Sequence, residues 1–149
     1  MSALGAIGEF PEIVKSNFLT DSKNNQNIIG VKFHIRGRPW VVSIDPKLFF
    51  VDYGSETNTF PLFAKTDDSK LIMWGALLEK AWAKVKGNYL AAEGGFTQSG
   101  MRVLTGAPVF GYKGTDYTAT NIADLFNLVT TADAANYIMT VGTAGGGND

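Results

Sequence analysis

No cysteine occurs in this 149-residue chain. Disulfides, thiolate metal sites and thiol nucleophiles are therefore excluded from the chain as it stands. A single histidine, His34, excludes schemes that need two imidazoles, and with them zinc sites of the ordinary Cys/His type. Charge is also scarce: charged residues make up 18%, the net charge is −1, and basic residues do not cluster. A nucleic-acid partner or an anionic membrane surface is accordingly not expected. No apolar run approaches the ~20 residues that a membrane-spanning helix requires. The opening MSALGAIGEFPEIVK has no basic leader ahead of its apolar part, so no secretory signal is expected and a cytoplasmic location is the default.

What remains is 45% hydrophobic, enough for one buried core, so the length suits one domain or one domain with a piece of another. Ala3, Leu4, Ile7, Phe10, Ile13 and Val14 recur at helical spacing. Pro11 would clash with a preceding helical turn, so the spacing predicts a helix ending near Gly8 and a second, short one starting at Pro11. The pattern is already running at Met1 with no capping residue ahead, which reads as a helix entered midway. Asp21 to Asn27 reads as a polar loop. Gly30–Ile35 and Trp40–Asp45 alternate as strands, and Gly37 between them can take the positive φ of a tight turn, which predicts a hairpin. Phe49–Leu62, with Gly54, Asn58 and Pro61, reads as loop.

Leu71, Trp74, Leu78, Trp82, Val85 and Tyr89 then fall at steps of three and four, an aromatic-rich helical stripe expected to be core. Asp67, Asp68 and Ser69 offer caps ahead of it, Lys84 and Lys86 suit its negative C-terminal end, and Gly87 is a natural stop. A short helix is expected over Thr97–Leu104. A longer one is expected over Asn121–Asn136 with a break near Thr130, and a strand over YIMTVGT. The glycine run from Gly142 to Gly147 lacks the Gly-Lys-Ser/Thr ending of a phosphate loop and reads as linker. His34, on a hairpin strand with no nucleophile-elbow sequence in the chain, reads as a surface or edge residue rather than a general base. The acidic residues are scattered, and no segment has EF-hand spacing.

The segment LLEKAWAKVKGNYLAAEGG resembles the calpain family of cysteine peptidases, whose members carry W-x-A-L-L-E-K-A-Y-A-K-x-x-G-x-Y-E-A-L-x-G-G. Trp74, Ala76, Leu77, Leu78, Glu79, Lys80, Ala81, Ala83, Lys84, Gly87, Tyr89, Gly94 and Gly95 match it without a gap. WVVSID, PLFAKTDD, LTGAP and SALGAIGEFPEIVKSNF resemble further family segments in the right order, so the likeness covers nearly the whole chain. It implies an α+β fold, a papain-like protease core fragment of helices with a small antiparallel sheet. Residues 1–106 would be the first protease subdomain and 107–149 the start of the second. It also implies that Gly94 and Gly95 are substrate-binding: a glycine backbone there would approach an extended peptide that a side chain would obstruct.

By the same likeness the nucleophilic cysteine belongs a few residues before Met1, and the catalytic histidine and asparagine beyond Asp149. No catalytic residue and no metal ligand is thus assigned within the chain. The acid that binds calcium in the family, shortly before the helix tryptophan, gives way to Leu71, Ile72 or Met73, with Asp67 and Asp68 displaced. No cofactor is expected in this chain, and calcium is left to the parent protein. The resemblance implies a fragment of a calpain-like cysteine endopeptidase that forms scaffold and one cleft wall and is inactive alone. Its partners would be a peptide or protein substrate and the remainder of the core. The alternative is a non-catalytic calpain-like scaffold or interaction domain; a third reading, taken without the resemblance, is a small α+β binding domain.

Overall fold

Alternation along the ribbon decides where the core forms. In the computed structural model, which describes residues 2–19, 27–52, 59–61, 64 and 72–142, β1 (Ile29–Ile35) pairs antiparallel with β2 (Arg38–Ile44), as the alternation predicts. The register sets Val31 against Val42 and Phe33 against Trp40. Residues 31, 33, 42 and 44 therefore share one face, and all four are buried. The connecting turn holds Arg36 at φ 52 and Gly37 at φ 75. Two successive positive φ values are what a two-residue hairpin of primed type requires. Glycine meets that demand freely; arginine does so at a cost of ~1–2 kcal/mol.

Helices cover the ribbon. The segment Ser2–Phe18 divides as Pro11 dictates, into α1 (Ser2–Ile7) and α2 (Pro11–Asn17). The aromatic stripe lies on α3 (Trp74–Lys86), which buries Leu78, Ala76, Ala81 and Ala83. Trp82 meets Phe33 edge-on with ring centroids 5.9 Å apart, which docks the helix on the ribbon. The short α4 (Tyr89–Ala92) follows, and then α5 (Thr97–Thr105). One apolar cluster joins Ala3 and Ile7 of α1, Val14 of α2, Leu78 and Ala81 of α3, and Met101 and Leu104 of α5 to the ribbon. Asn17 is the buried polar residue among these: its Nδ2 donates to the carbonyls of Lys32 and Leu104, each at 2.9 Å. One amide thus ties the end of α2 to β1 and to the last turn of α5.

Several expectations fail in detail. Phe49–Leu62 is more than loop, because β3 (Phe50–Asp52) and β4 (Thr59–Pro61) form a second antiparallel pair; the β-formers on either side of Gly54 and Asn58 outweigh the turn signals. The helix expected from Leu71 begins at Trp74, with Met73 at its cap and no capping side chain; Asp67, Asp68, Ser69 and Leu71 lie outside the described residues, as do residues 21–26 and 143–147. Gly87 (φ 102) ends α3, so Tyr89 leaves the stripe and stacks edge-on with Phe49 at 6.1 Å instead. The helix over 121–136 is α6 (Ile122–Ala134) and does not break at Thr130. Its hydroxyl donates to the carbonyls of Phe126 and Asn127, which keeps a β-branched residue compatible with the helix. Tyr137 to Gly142 forms no strand, since no neighbouring strand among the described residues offers it a ladder.

Two substitutions measure this arrangement. Leu78 is 1% exposed, so Leu78→Ala should lower the unfolding free energy by ~2–5 kcal/mol in denaturant titration; a loss below about 1 kcal/mol would contradict the burial. Asn17→Ala takes this donor from one buried and one part-buried carbonyl and should cost about 2–3 kcal/mol by the same measurement.

Candidate peptide-binding cleft

The double-glycine bend is held from both sides. On its N-terminal side, Asn88 caps α4 by accepting from the backbone N–H of Ala91 at 2.7 Å, and the helix closes at Glu93. Gly94 then takes φ 74 and Gly95 φ 127, conformations that side-chain-bearing residues rarely adopt. A Cβ at either position would meet nothing within 4 Å. Both glycines thus present bare backbone to open space. On the C-terminal side Phe96 opens α5, which follows at once.

The start of α1 lies against the start of α5. The Ser2 and Thr97 hydroxyls are 3.1 Å apart and share a hydrogen bond across 95 positions of sequence. One turn further on, a Cβ at Gly100 would lie 2.9 Å from the Cβ of Ala3, closer than carbon atoms pack. Glycine inside a helix is unfavourable by roughly 1 kcal/mol, and here it lets the two helices touch. Ser2, Thr97 and Gly100 were not singled out from sequence, although the interior glycine of TQSGMRVLT was a usable signal. The N-terminal end of α1 therefore sits beside a residue two positions after Gly95.

The C-terminal end of α5 is positioned by the ribbon. The His34 ring packs where a side chain at Gly106 would stand, its Cδ2 only 2.7 Å from that Cβ position. His34 is half-buried in β1 rather than a free edge residue. Its Nδ1 and the Oδ1 of Asn17 are the buried side-chain polar atoms without a partner among the described residues. Among the described residues no nucleophilic hydroxyl is bonded to His34 Nδ1.

A second concavity, of about 320 Å³, lies between the end of β2 and α3 and is lined by Ser43, Asp45, Lys80, Lys84, Asn88 and Tyr89. Its ammonium groups serve the fold. Lys80 Nζ donates to the Asp45 carboxylate at 2.9 Å, to the Asp45 carbonyl at 3.1 Å and to the Lys47 carbonyl. Lys84 Nζ donates to the Ser43 carbonyl at 2.6 Å, and Lys86 stands 5.2 Å over the Trp82 ring. Lys80 and Lys84 thus pin α3 to the strand end, where the sequence suggested only that Lys84 and Lys86 complement the helix terminus. The Lys80 hydrogen bond, with the Lys47 backbone N–H second, holds the Asp45 carboxyl below its ordinary range. Burial first, then the nearby charges of Glu79 and Asp45, push the Tyr89 phenol up. Tyr89 stays neutral through the physiological range and acts as a wall.

Among the described residues, the place that the resemblance gives to the family's calcium-binding acid offers no ligand. Ile72 and Met73, which occupy the place of the family's acid, carry no side-chain oxygen, and Asp67 and Asp68 lie outside the described residues. Among the described residues no group of three or more His, Asp and Glu side chains converges to hold a metal ion.

Comparison with known proteins agrees with this framework. A family model described as calpain family cysteine protease matches residues 1–147. The calpain-type cysteine protease DEK1 of Zea mays is 33% identical over 106 residues, which cover 71% of this chain and 5% of that protein. DEK1 of Arabidopsis thaliana is 35% identical over 107 residues, again 71% of this chain and 5% of the relative. The human calpain-1 catalytic subunit is 44% identical over 62 residues, 42% of this chain and 7% of that subunit. The matched region thus spans a small part of each relative. The chain belongs to the calpain family of cysteine proteases.

Proposed function

We propose that this chain is the scaffold and one wall of the peptide cleft of a calpain-like cysteine endopeptidase, and that it does not cleave peptides by itself. The observation that carries the reading is the Ser2–Thr97 hydrogen bond. It supports a cleft in which the end of α1 that leads back toward the family's nucleophile faces the bend that would hold the substrate. Gly94 and Gly95 are the substrate-binding residues in this reading. An extended peptide, backbone exposed, would hydrogen-bond to their bare backbone as one strand does to another.

The chemistry requires more than this chain contains. Peptide hydrolysis by this family needs a thiolate attacking the carbonyl carbon and an imidazole that takes and returns the proton. The chain has no cysteine, and its one histidine is packed against Gly106. Both groups would come from outside the 149 residues.

Residues 1–106 act as the first protease subdomain and 107–149 as the opening of the second. The packing supports that division. The described apolar cluster draws most of its members from residues 3–104, with Val109 and Ile138 as partly buried additions. The helix α6 buries none of its residues. Ile122, Phe126 and Val129 recur along it at helical spacing and are 53%, 68% and 43% exposed. A stripe of this kind on a helix supports packing against further protein, in this reading the remainder of the protease core.

The purified chain should leave a fluorogenic peptide intact with or without calcium. It should nevertheless bind an extended peptide, with Gly95→Ala weakening that binding at least fivefold by fluorescence anisotropy. Turnover that disappears in Gly95→Ala or His34→Ala would overturn the proposal, as would peptide binding indifferent to position 95.

A further inference from the structure

The tip of the long hairpin carries a feature that neither the protease framework nor the core accounts for. Its sequence is RGRPW, Arg36 to Trp40. Arg36 occupies the first turn position at φ 52, where Asn, Asp or Gly is the usual choice. Arg38 opens β2, opposite Ile35. The turn places both arginines at the tip of the hairpin. Both are exposed, and neither has an acidic or hydrogen-bonding partner among the described residues.

An aromatic surface adjoins them. Arg38, Trp40, Val42 and Ile44 alternate onto the same face of β2. The far end of that face is covered, with Val42 and Ile44 at 6% and 4% exposure. Covering stops before Trp40, which is 60% exposed although it stands opposite the buried Phe33. The result is an open indole with a guanidinium next to it on the same face and a second guanidinium at the turn.

We propose that this tip is a docking site for an acidic protein segment that carries an apolar residue between its carboxylates. Charge complementarity selects the partner: planar guanidinium groups match carboxylates in bidentate geometry, and an indole face takes an aliphatic or aromatic side chain. Two arginines on a chain of net charge −1 make no extended cationic track, so a polynucleotide is not the matching ligand. The left-handed arginine agrees with a role at the tip, since an asparagine there would satisfy the turn alone.

The test uses the full chain and an acetylated hexapeptide, Glu-Glu-Leu-Glu-Glu-Leu, with the all-glutamine counterpart and a single-stranded oligonucleotide of equal charge as controls. Tryptophan fluorescence reports engagement of the exposed Trp40. Saturable binding is expected to weaken at least tenfold between low and 0.5 M salt, and at least tenfold in Arg36→Gln/Arg38→Gln. Trp40→Ser should remove most of the fluorescence change, and circular dichroism should show each variant folded. Equal binding of the glutamine peptide, unchanged affinity in the double arginine variant, tighter binding of the oligonucleotide, or no binding of the acidic peptide would each overturn the proposal.

Discussion

One buried amide organises the molecule. The side chain of Asn17 lies at 0% exposure and spends both its N–H groups on carbonyls of other elements. A polar group taken that far from water is tolerated only when hydrogen-bonded, so the site admits few arrangements of its neighbours. With α2, β1 and α5 held at that point, the apolar contacts around them are brought together. The nearness of α1 to the first turn of α5 follows, because α1 leads directly into α2. The Ser2–Thr97 hydrogen bond and the Ala3–Gly100 contact are the far ends of the same constraint.

The double-glycine bend depends on rigid neighbours rather than on its own contacts. Gly94 and Gly95 touch nothing that a side chain would displace. Their position is set by the Asn88 cap before them, by α5 after them and by the lysines that pin α3 to the end of β2. The proposed peptide-binding role would need this division of labour. A backbone that is to pair with a peptide must keep its own donors and acceptors free, so its ordering has to come from elsewhere.

Much of the framework was legible in the order of residues. The hairpin, the split at Pro11, the stop at Gly87 and the α5 helix all follow from local rules of backbone sterics and periodicity. The run from Trp74 to Gly95 carried the family likeness. The misreadings share a cause. The β3–β4 pair and the absent strand after Tyr137 are decided by whether a partner strand is at hand, and that is not written in the segment itself. The same holds for Tyr89, moved off its stripe by one glycine into contact with Phe49.

By itself, then, the sequence determined the helices of the framework and its long hairpin, which chemistry the chain lacks, and which protease framework it resembles. Those properties rest on interactions between residues a few positions apart and on composition. Tertiary structure alone decided that Ser2 meets Thr97, that His34 spends its ring against Gly106, and that Trp40 is left open beside two exposed arginines. Each of these joins or exposes groups according to how elements distant in sequence pack. Packing is settled by the shape and volume of the whole core, which no local pattern encodes.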